Sequence, residues 1–234
     1  MPRLLLLMTT TTYRAHDFLK AARRLGIEAV VGSDREQALA DLTPGKTLAL
    51  DFLHPEAGTQ AIIAFTKNRS LDAIVAVDDD GALVAAMASE ALGLSHNSVD
   101  SMSAARNKHR MRQMLAAAGI PIPQFWCFTI DVDPDAVARQ VLFPCVVKPL
   151  FLSASRGVMR ADTPEQLRRA FQRLCTILRT PDVMERGGPL AQQILGITED
   201  EADDLFRGGN GIGDVVSIAT EIASNYGHEL GVTL

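Results

Sequence analysis

The sequence predicts an α/β protein in two parts, a parallel, doubly wound sheet over about the first hundred residues and then a smaller α+β lobe. Three observations carry this. Up to about residue 100, continuous apolar runs alternate with stretches of helical spacing, and parallel strands need crossover helices of that kind. Beyond it, two apolar runs flank a polar connection, the pattern of an antiparallel hairpin. The 234 residues are 47% hydrophobic and 22% charged, enough apolar sequence for one large core or two modest ones.

Residues 4–8 are an unbroken apolar run, the mark of a strand buried on both faces. Residues 15–25 place Phe18, Leu19, Ala22 and Leu25 at helical spacing, with Gly26 as the stop. "IEAVV", "TLALDF" and "DAIVAV" are the next three strands, helical stretches fall at 37–42 and 59–66, and "DDDGALVAAMASEALGL" is an alanine-rich helix. The domains are placed at 1–100, 101–196 and 197–234. A dinucleotide-binding Rossmann unit would need Gly-x-Gly-x-x-Gly in the first turn, and "TTTTYR" has no glycine. Its hydroxyls are expected to cap the following helix, and Asp78, Asp79 and Asp80 to form a solvated helix start.

"RNKHRMRQMLAAAGIPIP" reads as a helix with Asn107 as N-cap, an apolar face of Met111, Met114, Leu115 and Ala118, and an end at Gly119 and Pro121. Lys108 stands in the first turn, where the helix dipole opposes it. It is either a solvated lysine or half of an anion site made with the helix N-terminus. In "CVVKPLFLSASRGVMR", Val146 and Lys148 share one face of a strand while Cys145 and Val147 take the other. The connection, residues 149–156, is longer than a tight turn requires. With Ser153, Ser155 and the adjoining Gly157 it suits a flap over phosphate oxygens. It is not a Walker A loop, in which the lysine follows the glycines. The next helix has a capping box, Thr163 with Gln166, and a stripe of Leu167, Ala170, Phe171, Leu174, Ile177 and Leu178.

The succession of these elements over about residues 1–196 resembles the ATP-grasp superfamily of carboxylate-amine ligases and biotin-carboxylase-like enzymes. The likeness is carried by the preceding α/β domain, "LGLSHNSVDS", "RNKHRMRQMLAAAGIPIP", "FPCVVKPLFLSASRGVMR" and a helix leading to a further strand. It implies a Rossmann-like pre-ATP-grasp domain followed by an ATP-grasp nucleotide lobe. It also implies ATP with Mg2+, a small carboxylate-bearing substrate, and ligase chemistry in which the carboxylate is phosphorylated before an amine attacks. By the same resemblance, Lys148 contacts the α-phosphate and the adenine side, Lys108 faces the phosphates, and the loop with Ser153, Ser155, Arg156 and Gly157 is a mobile lid. "LAQQILG" is similar to the family's adenine strand. Gln192 and Gln193 stand where glutamates are usual, and Ile194 and Leu195 offer backbone groups to the base.

After Gly196 the likeness ends. The family's second lobe supplies acidic magnesium ligands and a Glu-x-Asn-x-Arg-like run, whereas the sequence here reads as an acidic helix at 198–206, a glycine-rich turn and a helix at 214–225. The expectation is an incomplete ATP-grasp lobe with a short helical tail, in which metal ligands and catalytic residues stay unassigned. A ligase and a non-catalytic nucleotide-binding or interaction protein, or a truncated gene product, are the two readings. An incomplete lobe would leave apolar surface for a partner or a second copy to cover. A net charge of -5 with no basic block argues against nucleic-acid and anionic-membrane partners. The three cysteines, set in apolar runs, point to a reduced, cytoplasmic protein, and no apolar run has the length of a membrane span.

Overall fold

A computed structural model of the chain describes residues 1–36, 45–152, 155–187 and 192–198. The chain divides into two compact units between Ser103 and Ala104. In the first, β1 (Arg3–Met8), α1 (Ala15–Arg24), β2 (Glu28–Ser33), β3 (Thr47–Ala49), α2 (Pro55–Thr66), β4 (Ala73–Ala76) and α3 (Ala82–Leu92) follow one another. The four strands are parallel in the order β3-β2-β1-β4, with Leu5 between Val30 and Ile74. The central place of β1 accounts for its unbroken apolar run. Leu5 and Leu7 enter a core with Val30, Ile62 and Val84, while Leu6 and Met8 pack on the opposite face with Phe18 and Leu19.

The helix expected at 37–42 lies outside the described residues. The one expected at 59–66 begins earlier, at Pro55, whose fixed φ suits a first helical position. The third strand stops at Ala49 because Asp51 then turns the chain, accepting from the N–H groups of Leu53 (2.9 Å) and His54 (3.1 Å). α3 closes on Gly93 in the left-handed conformation, φ 66°.

The threonine turn departs from its expected role, since no side chain caps α1. Asp78, just beyond β4, instead accepts from the Thr9 N–H (3.0 Å), Thr9 Oγ1 (3.3 Å) and Thr12 Oγ1 (2.9 Å). A carboxylate is a stronger acceptor than the neutral groups a cap would involve, and it joins the ends of two neighbouring strands. Asp78→Ala is expected to destabilise the first unit by about 1–3 kcal/mol, because the Thr9 N–H loses its acceptor. Urea unfolding measures this, and an unchanged midpoint would count against it.

The chain enters the second unit within α4 (Val99–Arg106) and continues through α5 (Lys108–Ala117), β5 (Phe125–Thr129), α6 (Pro134–Ala138), β6 (Cys145–Pro149), β7 (Met159–Ala161), α7 (Pro164–Leu178), α8 (Pro181–Gly187) and β8 (Gln193–Thr198). The sheet is antiparallel in the order β5-β8-β6-β7. The expected hairpin is present, with Val146 opposite Arg160 and Val147 opposite Met159. α7 covers one face, where Phe128, Cys145, Val147, Ala161 and Ile194 share a core with Leu167, Phe171, Leu174 and Leu178.

Two details of α7 differ from the sequence pattern. Cys175 is buried where Ile177 is only partly so. Thr163 accepts from the Gln166 N–H (3.3 Å) as an N-cap, but Gln166 Oε1 takes the N–H of Asp162 (2.7 Å) instead of closing the box on Thr163. The three cysteines are free. Among the described residues no helix is long and apolar enough to cross a membrane. The helix expected at 198–206 overlaps β8 at Thr198, which is strand, and its remaining residues, like the helix expected at 214–225, lie outside the described residues.

Candidate functional site

The face of the second sheet opposite α7 carries the candidate site. Leu150 and Leu195 are buried on it, packed by Phe125, Cys127 and Val146. Lys148 belongs to this face because it alternates with Val147 along β6, and strand register sets it opposite Leu195 of β8. The lysine is part-buried over this apolar floor. Burial pushes its pKa down from 10.5 to about 8, and the positive charges of Arg112 and then Lys108 add to the effect. Among the described residues its ammonium has no hydrogen-bond or ion-pair partner.

α5 begins at the end of β6. Asn107 Oδ1 accepts from the N–H groups of His109 and Arg110, both at 3.1 Å, as the sequence leads one to expect of an N-cap. The Lys108 N–H reaches the Leu150 carbonyl at 3.3 Å. The Lys108 ammonium donates to the carbonyls of Leu150 (3.1 Å) and Leu152 (2.8 Å), which occupies two of its three donors. His109 meets the Phe125 ring edge-on at 5.7 Å, so the helix start lies against the same face. Arg112 follows one turn after Lys108, and its charge bears on Lys148 more strongly than that of Lys108 does. Sequence reading did not single out Arg112. The signal available was its i+4 spacing from Lys108, which puts both on one helix face.

In the loop between β6 and β7, Ser153 lies outside the described residues. Ser155 (φ 56°) and Gly157 (φ 79°) turn the chain back, and a Cβ at Gly157 would stand 2.8 Å from Leu174 Cδ1. Glycine is required there by both conformation and space. Arg156 faces Asp182 of α8 at 3.7 Å. This end of the loop therefore leans on α7 and α8.

On β8, Gln193 Oε1 lies 3.7 Å from Cys127 Sγ, while Gln192 is exposed and its carbonyl accepts from the Ile130 N–H (2.8 Å). Leu195 shares the face of Lys148, but Ile194 is buried on the α7 side. The structure also differs from the expectation for their backbones. β8 is flanked by β5 and β6 along this stretch, so the N–H and C=O groups of Ile194 and Leu195 enter the ladders instead of pointing to a ligand. Lys108, Lys148 and Leu195 are thus brought together, with Gln193 alongside.

Comparison with known proteins bears on what this face belongs to. Residues 19–96 match the ATP-grasp N-terminal domain family. A stretch of 96 residues, 40% of this chain, is 36% identical to 31% of D-alanine–D-alanine ligase B from Chromobacterium violaceum. Over 159 residues, 67% of this chain and 45% of the relative, it is 26% identical to the D-alanine–D-alanine ligase of Neisseria meningitidis. Residues 19–96 belong to the ATP-grasp N-terminal domain family, and the chain is similar to ATP-grasp ligases beyond them. An L-amino acid ligase from Bacillus licheniformis has the same fold as this chain, with a TM-score of 0.65 over 85% of this chain and 46% of that one, at 20% identity. The chain spans less than half the length of these relatives.

The face suits the nucleotide such proteins are named for, since an apolar floor accepts a base and cations at its edge accept phosphates. For magnesium the fit fails among the described residues, where no group of three or more His, Cys, Asp or Glu is placed to hold a metal ion. The acidic run at 199–204 lies outside them.

Proposed function

We propose that this chain binds ATP on the Lys148 face of its second sheet and serves an ATP-grasp ligase. In that chemistry a carboxylate takes the γ-phosphoryl group, ADP leaves, and an amine or similar nucleophile displaces phosphate from the acyl phosphate. The observation that carries the reading is Lys148 itself. A part-buried ammonium beside a second cation is unfavourable in the empty protein and becomes favourable when a polyanion arrives. In this reading Lys148 meets the α-phosphate, and Leu195, Phe125 and Val146 form the floor under the base. Gln192 and Gln193 hydrogen-bond the nucleoside, and Ser155, Arg156 and Gly157 belong to the loop that covers it. The relatives named as ligases of D-alanine and of L-amino acids support an amino acid as the carboxylate-bearing substrate. A cytoplasmic setting accords with the use of ATP.

Thermal unfolding tests the binding half. Saturating Mg-ATP should raise the melting temperature, by the equivalent of about 2.7 kcal/mol at a hundredfold excess over Kd. Lys148→Ala should remove the rise, and no shift of the wild-type chain at millimolar nucleotide would rule binding out. ADP release in the presence of amino acids and other carboxylates tests the ligase half. ATP bound but no ADP formed across such a panel would leave a nucleotide-binding protein without ligase activity.

A further inference from the structure

We propose that a cleft beside β4 in the first unit binds a small uncharged molecule, one with a flat apolar body and a carboxamide or hydroxyl at one end. The cleft measures about 350 Å3 and lies between β4, α3 and the stretch at 95–97. That is in the range of about 300–1,000 Å3 usual for small-molecule sites. β4 is an edge strand, with β1 beside it and no other strand among the described residues, which leaves room between it and residues 95–97. None of the lining residues belongs to the Lys148 face, so the inference does not rest on the nucleotide-binding reading.

The walls set the class of ligand. Ala82, Ala86 and Ser89 fall at i, i+4 and i+7 on one face of α3, and all three line the cleft. The two methyl groups leave space for a ring, and Ile74 and Ala76 of β4 add apolar surface across from them. Ser89 supplies the polar anchor. It is 1% exposed, and its hydroxyl has no hydrogen-bond partner among the described residues, although a buried hydroxyl nearly always has one. Leaving it unpaired is unfavourable, and a ligand carbonyl or hydroxyl relieves this. His96 and Asn97 also line the cleft. His96 Nδ1 lies 2.7 Å from the Asn97 carbonyl, which can only accept, so Nδ1 carries the hydrogen and Nε2 of the neutral ring is left to accept. No Asp, Glu, Lys or Arg lines the cleft. An ionised ligand would lose water there without gaining a counter-ion, whereas an uncharged one finds both a donor and an acceptor.

NMR titration of the full chain with benzamide, phenol, toluene and benzoate tests the site without any nucleotide. Benzamide and phenol should shift the backbone amide signals of Ser89, His96 and Asn97 saturably at millimolar concentration, and benzoate should not. Ser89→Ala should weaken benzamide by about fivefold or more and leave toluene unchanged, because only the former uses the hydroxyl. Ala86→Leu, which fills the cleft, should abolish the shifts with every probe and raise the urea midpoint, which shows that the variant is folded. The proposal is overturned if neither benzamide nor phenol gives saturable shifts at these residues in the wild-type chain, or if benzoate binds as well as benzamide. Wild-type benzamide affinity in Ser89→Ala overturns it too. Binding that survives Ala86→Leu in a folded chain would put the molecules elsewhere, with the same consequence.

Discussion

Lys148→Met is expected to stabilise the empty chain and, in the same variant, to abolish its response to ATP. Methionine keeps the length and apolar body of the lysine and drops the charge that burial and Arg112 both oppose. A fall in pKa from 10.5 to about 8 would correspond to more than about 3 kcal/mol if taken whole. The ammonium still reaches solvent, so a gain of about 1–2 kcal/mol at pH 7 is the fair expectation. The pH dependence has a definite sign. Below about pH 8 both folded and unfolded chains hold the proton, and the penalty of the wild-type chain is fully present. Between about 8 and 10.5 the unfolded chain binds more protons than the folded one, so wild-type stability gains relative to the variant as pH rises. Urea unfolding of both chains at pH 7, 9 and 10 should show the variant ahead at pH 7 and the gap closing above. A variant less stable than the wild type at pH 7 would contradict this account. ATP affinity of the wild-type chain should decline as pH rises above 8, because only the protonated lysine attracts phosphate.

Phe171→Ala is expected to cost about 3–5 kcal/mol, the largest stability loss from a single side chain in the second unit. Phe171 is 1% exposed and lies in the core between α7 and the sheet, with Leu167, Leu174, Val147 and Ile194. A typical domain has about 5–15 kcal/mol in all, so the second unit would be left marginal. Nucleotide binding would weaken with it although Phe171 faces away from Lys148. Ile177→Ala, on the same helix and equally apolar, should cost less than about 1 kcal/mol because Ile177 is only partly buried. Chemical denaturation of the two variants side by side separates a packed position from a merely apolar one. Similar losses for both would mean that the two positions are packed alike.

Much of the architecture was legible because it is written in local patterns. The four apolar runs of the first unit, the stop at Gly26, the Asn107 cap and the hairpin between β6 and β7 follow from periodicity, side-chain hydrogen-bonding capacity and glycine's freedom at positive φ. What failed was non-local. Asp78 takes the threonine hydroxyls from 66 and 69 residues away, and a helix-capping role for those threonines could not be told from that by reading the turn alone. β8 could be named as a strand, but its place between β5 and β6, which consumes the backbone groups of Ile194 and Leu195, is a matter of strand order.

The same division holds for the candidate site. By itself the sequence determined that Lys148 ends an apolar strand, that Lys108 opens a helix, and that these stand in an order resembling ATP-grasp proteins. Spacing along one chain reports which side chains share a face of their own element, and little more. Only the tertiary structure decided that Lys108 is held by carbonyls 42 and 44 residues away, and that Arg112 is the charge that bears most on Lys148. Both depend on the docking of α5 against β6. Electrostatic and hydrogen-bonding partners are set by distance in space, which the packing of two elements fixes and their separate sequences do not.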